Sequence, residues 1–122
     1  MDNRRTVLIC DQDYATVNEL QLGLEEKGFD VDTIDNAADL IPTSIRLRPA
    51  VIIVNPDMQG FNEEDVCQNI IQNQRIPVIV MVDKNSTARI QIGDCRPEDD
   101  ITKPVALDAL VHLIEKHIAI QS

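Results

Sequence analysis

Short runs of aliphatic and β-branched residues recur along this chain, each separated from the next by a longer segment in which apolar residues return every three or four positions. Val7 to Cys10, Val51 to Val54 and Val78 to Val82 show no polar alternation, as expected of strands covered on both faces in a parallel sheet. Asp30-Val31-Asp32-Thr33-Ile34 alternates and Asp100-Ile101-Thr102 is short, so both belong nearer the sheet margins.

The intervening segments read as helices. In 14–27, Val17, Leu20 and Leu24 form one stripe, Asp13 is placed to cap the start and Gly28 to stop the end. Segment 105–118 carries Leu107, Leu110, Val111, Ile114 and Ile118 at helical spacing behind Pro104. Segments 36–47 and 63–73 also fit, the first kinked or started late by Pro42. In 85–93, Ala88, Ile90 and Ile92 fit either period, so this is the weakest of the helices.

Strand and helix thus alternate five times within 122 residues, a length suited to one domain, with 43% hydrophobic residues to form its core. Right-handed crossovers then give an α/β, flavodoxin-like (βα)5 doubly wound parallel sheet with strand order 2-1-3-4-5. The expectation is a single domain over 1–122, without a linker, repeat or output domain. Arg96-Pro97-Glu98-Asp99 reads as a polar loop.

Eleven basic against 21 acidic residues leave a net charge of −10, which repels phosphate backbones and anionic lipid. Neither nucleic acid nor membrane is therefore an expected partner. The start, Met1 to Arg5, leads into only a short apolar stretch, and no segment approaches the ~20 apolar residues of a membrane span. The expected location is the cytoplasm. Cys10, Cys67 and Cys95 are odd in number and lack the spacing of a zinc site or disulfide framework, so they read as free thiols.

Ligands of such a sheet lie beyond the carboxyl ends of the strands, where Asp11-Gln12-Asp13, Asn55 to Gly60, Val82-Asp83 and Lys103-Pro104 should converge. His112 and His117, five residues apart, do not share a helix face and read as solvated surface. Tyr14 and Phe61 read as packing residues. No glycine-rich phosphate loop or GxSxG elbow occurs.

An acidic cluster after the first strand, Asn55-Pro56-Asp57-Met58-Gln59-Gly60 after the third and Thr102-Lys103-Pro104 after the fifth resemble the receiver domain of two-component response regulators over nearly the whole chain. The resemblance implies that Asp11 matches the first of two metal-binding acids, with Gln12 in the place of the second and Asp13 a further carboxylate nearby. Asn55 falls where an aspartate would accept a phosphoryl group, and Gln59 where proline is usual. Lys103 is the lysine that would pair with the phosphoryl group. Val82 stands at the position of a threonine or serine, or Asp83 if the register slips by one. Asp100 replaces the switching aromatic residue.

These departures set the functional expectation. A carboxamide cannot form the acyl phosphate that a carboxylate forms, and two amides in place of carboxylates weaken a site for a hard divalent cation. The resemblance therefore implies a non-enzymatic, unphosphorylated module with no cofactor, or at most a weakly held magnesium ion on Asp11 and Asp57. Lys103 has a second explanation as a counterion for Asp11 and Asp13. The implied partner is a protein, a histidine kinase or a downstream signalling protein, with homodimerisation through the side formed by strand 4 and the last helix. Two alternatives stay open: a phosphorylatable single-domain regulator with Asp57 or Asp13 as acceptor, and a small flavodoxin-like enzyme or nucleotide binder.

Overall fold

The structure, a computed structural model, describes residues 5–88 and 90–121, so most of the start Met1 to Arg5 lies outside the described residues. The aliphatic runs become strands β1 (Thr6–Cys10), β3 (Val51–Val54) and β4 (Val78–Val82), buried almost throughout. Burying each such Val or Ile stabilises the fold by about 1.5–3 kcal/mol, which is why runs without polar alternation take the centre of the sheet. The alternating segment forms β2 (Asp30–Ile34) and the last short one β5 (Asp99–Thr102). All pairings are parallel and the order is β2-β1-β3-β4-β5, so the two partly exposed strands are the margins.

Helix α1 (Tyr14–Glu26) buries Val17, Leu20 and Leu24. Asp13 caps it, accepting from Thr16 N at 3.3 Å and from Thr16 Oγ1 at 2.7 Å. The chain leaves through Gly28 at φ +92°, a conformation open to glycine without a Cβ clash. Pro42 marks a late start: a 3-10 turn over Ala37–Asp39 leads into α2 (Leu40–Leu47), with Pro42 in its first turn, where no N–H is required. Helix α3 (Glu63–Val66) widens into a π-helical stretch, Cys67–Gln72, closed by Asn73 N donating to Gln68 O. Helix α4 (Leu107–Gln121) buries Leu110 and Ile114. Helices α1 and α4 cover one face of the sheet over Val7, Ile9, Ile53, Ile79 and Met81, while α2 and α3 cover the other over Leu8, Ile52, Val54 and Val80. Among the described residues no helix is long and apolar enough to cross a membrane.

Four sequence expectations are corrected. Among the described residues of 83–98 there is no helix, although Arg89 lies outside them. Asp83 O accepts from Ser86 N, and Ser86 Oγ from Ala88 N, local bonds that compete with helical ones. Beyond them Ile92 and Cys95 exchange two backbone hydrogen bonds around Gly93, at φ +60°, and Asp94. The thiols are not all free: Cys67 and Cys95 form a disulfide, and only Cys10 is unpaired. The spacing rule missed this pair because its partners, 28 residues apart, meet only through the fold. Finally, His117 is buried, 5% exposed, with Nε2 3.7 Å from Asp99 Oδ2, whereas Tyr14 is 82% exposed instead of packed. His117 continues the stripe of Leu110 and Ile114 at i+7 and i+3, a signal available in the sequence.

Candidate functional site: an acidic pocket closed on its own lysine

The candidate residues follow the last residues of neighbouring strands, and the sheet ladders run one step further to hold them. Asp11 N donates to Ile34 O, Asn55 N to Cys10 O and Lys103 N to Val82 O. Asp11, Asn55 and Lys103 therefore emerge together from β1, β3 and β5. The Lys103–Pro104 peptide is cis.

Asp11 is the centre of the pocket, only 2% exposed. Its Oδ1 accepts from Asn55 Nδ2 at 3.1 Å and from Asp13 N at 3.1 Å. Its Oδ2 lies 2.7 Å from Lys103 Nζ. Asn55, itself buried, has its oxygen end engaged by Asp57 N at 2.9 Å, and an N–H can be accepted only by that oxygen. The amide nitrogen is thereby aimed at Asp11. The loop beyond is folded back by Met58 N donating to Asn55 O, and Gly60 at φ +82° lets it turn into Phe61. Phe61 packs on the α2 and α3 side of the core, as expected of it.

Lys103 is the pocket's cation. Besides Asp11 it donates to Asp13 Oδ2 at 3.0 Å and stands 3.7 Å from Asp83 Oδ1, itself well exposed. Burial disfavours the ammonium, but pairing with Asp11 and then Asp13 outweighs it and holds Lys103 above its usual lysine range. Asp13 is held below the usual carboxylate range, first by the Thr16 hydroxyl and then by Lys103. Cys10, behind Asp11, donates to Asn36 O, and burial followed by the charge of Asp11 pushes its thiol up to about 12.

The structure thus brings Asp11, Asp13, Asn55 and Lys103 into contact, with Asp83 at the edge. Asp57 joins through its backbone, and its side chain is exposed. Gln12 is exposed and borders, with Asp11, a cavity of about 570 Å³ between α1 and β2. Val82 is partly buried against the core, and Asp100 is exposed on β5. The role of Asp83 as a third carboxylate near the ammonium, and of Thr16 as the residue that steers Asp13, depends on distances that strand-end counting does not supply.

A magnesium ion would have to compete with the Lys103 ammonium for this donor set. Such an ion needs several open, hard oxygen ligands in octahedral array, yet both oxygens of Asp11 are already engaged and Asp13 is shared between Thr16 and Lys103. Among the described residues no group of three or more His, Cys, Asp or Glu side chains is disposed to hold a metal.

Comparison with known proteins agrees with the architecture. The response regulator receiver domain family matches residues 7–115. The DNA-binding response regulator MtrA of Mycolicibacterium paratuberculosis is 26% identical over 109 residues, 88% of this chain and 48% of that protein. The transcriptional regulatory protein AfsQ1 of Streptomyces coelicolor is 25% identical over 113 residues, 89% of this chain and 50% of its own. The chain spans about half the length of the curated relatives it matches. In fold it is similar to the receiver domain of the Francisella response regulator 1452, with TM-score 0.82, 20% identity and 97% and 99% of the two chains covered. A response regulator from Desulfuromonas acetoxidans gives TM-score 0.79 at 24% identity, covering 96% and 98%.

Proposed function

The chain belongs to the response regulator receiver family of two-component signalling, and on that footing we propose that it signals through protein contacts without forming an aspartyl phosphate. The observation that carries this reading is the hydrogen bond from Asn55 Nδ2 to Asp11 Oδ1, made while Lys103 neutralises the other oxygen. Phosphoryl transfer in such a pocket needs a carboxylate nucleophile and a divalent cation that neutralises the developing charge. Here the acceptor position presents an amide, and Asp11 is held by Asn55, Asp13 N and Lys103 of the protein itself. Asp57 is a poor replacement, since its side chain is exposed and its backbone is committed to Asn55.

The partner in this reading is a protein, either a histidine kinase or a downstream signalling component. The side formed by β4, β5 and α4 is the proposed surface, for that partner or for a second copy of the chain. Direct nucleic-acid contact is not part of the proposal, because the net charge of −10 opposes it. The DNA binding in MtrA's name is a property of a protein about twice as long.

A titration with magnesium and beryllofluoride, followed by amide chemical shifts, tests the reading. Resonances of Asn55, Asp57 and Lys103 should stay in place through millimolar additions. Saturable, magnesium-dependent shifts centred on those residues would overturn it.

A further inference from the structure

Segment 83–98 occupies the place of the fourth crossover helix, yet among its described residues only Ile90 and Cys95 are buried. Among the described residues its hold on the body of the domain comes from Ile90 in the core, from Glu98 N donating to Val78 O on β4 at 2.9 Å, and from one covalent bond, the disulfide from Cys95 to Cys67 in the π-helical stretch after α3. We infer that Cys67–Cys95 is a reversible thiol–disulfide site, reduced by a dithiol partner, and that its state sets the conformation of segment 83–98.

Three features support this. First, the segment is cheap to open, its described residues being mostly exposed and closed at the far end by the two hydrogen bonds between Ile92 and Cys95 and one from Glu98 N to Val78 O. Once it lifts, Cys95 Sγ reaches solvent while Cys67 stays buried at the start of the π-helical stretch. Second, the third cysteine does not interfere. Cys10 is buried below α2, and its raised pKa keeps it a thiol, the unreactive form. Third, the segment leads to both ends of the signalling face. Asp83 at its start stands by Lys103, while Val80, Val82, Ile90, Glu98 and Asp100 border a cavity of about 430 Å³ beside β5. A change in its fold alters the surface that a partner would meet. Where thiols are kept reduced, protein disulfides are mostly transient and redox-sensing, so the bond is suited to be an input in its own right.

The exchange balances as follows. A reductant thiolate attacks Cys95 Sγ, the disulfide breaks, and Cys67 leaves as a thiolate that takes up a proton. The second reductant thiol then attacks the mixed disulfide and releases Cys95 as a thiol, and the reductant departs as a disulfide having given two electrons. A low-molecular-weight disulfide drives the reverse.

The test uses the full chain with dithiothreitol as the dithiol and oxidised glutathione for the return. Alkylation under native conditions should find Cys95 first, and amide hydrogen exchange across 83–98 should rise by at least about tenfold, while β1 and β3 hold. Glutathione should restore the slow exchange. Cys95→Ser should exchange like the reduced protein, and if it does not fold, the wild-type titration still decides. Unchanged exchange in 83–98 would make the bond an inert staple, and equal acceleration in β1 and β3 would make it purely structural. Failure of the bond to re-form would also overturn the inference. No phosphoryl donor or metal enters this test, so its outcome is separate from that of the reading of Asn55.

Discussion

Asn55 Nδ2 donates to Asp11 Oδ1 across 3.1 Å, at the position that the resemblance to receiver domains assigns to an acceptor carboxylate. An aspartate there would set two carboxylate oxygens against each other, an arrangement that needs a cation or a proton between them. The amide removes that need, because it brings a donor to Asp11 and an acceptor to Asp57 N in one side chain. Asp11 Oδ1 is thereby paired, and the other oxygen, Oδ2, faces the ammonium of Lys103 at 2.7 Å.

Asn55→Asp should therefore lower stability at neutral pH by about 1–3 kcal/mol, since a buried acceptor of Asp11 loses its donor. Magnesium should recover part of the loss and should do less for the wild type. Urea unfolding with and without the cation measures both effects, and a fully stable variant without magnesium would contradict the account.

Lys103→Met leaves the Asp11 carboxylate buried beside a neutral thioether. Removing one partner of a buried pair costs roughly 3–5 kcal/mol. The same change frees the oxygens of Asp11 and Asp13 that the ammonium now holds. The variant should thus be destabilised but gain affinity for divalent cations, read as a larger magnesium-induced rise in Tm than in the wild type.

Asp13 has two jobs, and two variants separate them. Asp13→Asn keeps an oxygen that can cap α1 at Thr16 N, while losing the charge facing Lys103. Asp13→Ala loses the cap as well and should be the less stable of the two by about 1 kcal/mol. Thermal unfolding of the pair, alongside the wild type, gives the comparison.

The same cluster sets the pH response. Asp13 has a lowered pKa in the fold, so its contribution is complete above its ordinary value of 3.8 and fades as pH falls through the lower folded value. Lys103 has a raised pKa, so its contribution is complete below 10.5 and fades as pH rises through the higher folded value. Stability from this pocket should be flat between those limits. A urea midpoint followed from acid to alkaline pH should show the plateau up to the ordinary thiol value of 9.0, above which the buried Cys10 thiol adds its own loss, and mutating Lys103 should remove only the further loss above 10.5.

Much of this was readable from sequence because it rests on local pattern. Val51 to Val54 is assigned to the sheet centre without its neighbours, since a short, wholly β-branched run without polar alternation favours a strand covered on both faces. Convergence of Asp11, Asn55 and Lys103 followed from their positions just after strands. What escaped was decided across the fold. Whether 85–93 is helical depends on Ser86 bonding locally and on Cys95 being tied to Cys67, 28 residues away. The donor role of Asn55 depends on Asp57 N claiming its oxygen, a detail of loop geometry below the resolution of spacing. His117 is legible from its place on the stripe of Leu110 and Ile114, a relation that its five-residue spacing from His112 does not reveal.

The most direct test of the central claim is intact mass after exposure to acetyl phosphate with magnesium, and separately to a phosphorylated histidine kinase. The account predicts no added phosphoryl group on the wild-type chain. A labile adduct of one phosphoryl mass, mapped to Asn55, Asp57 or any carboxylate of the pocket, would contradict it.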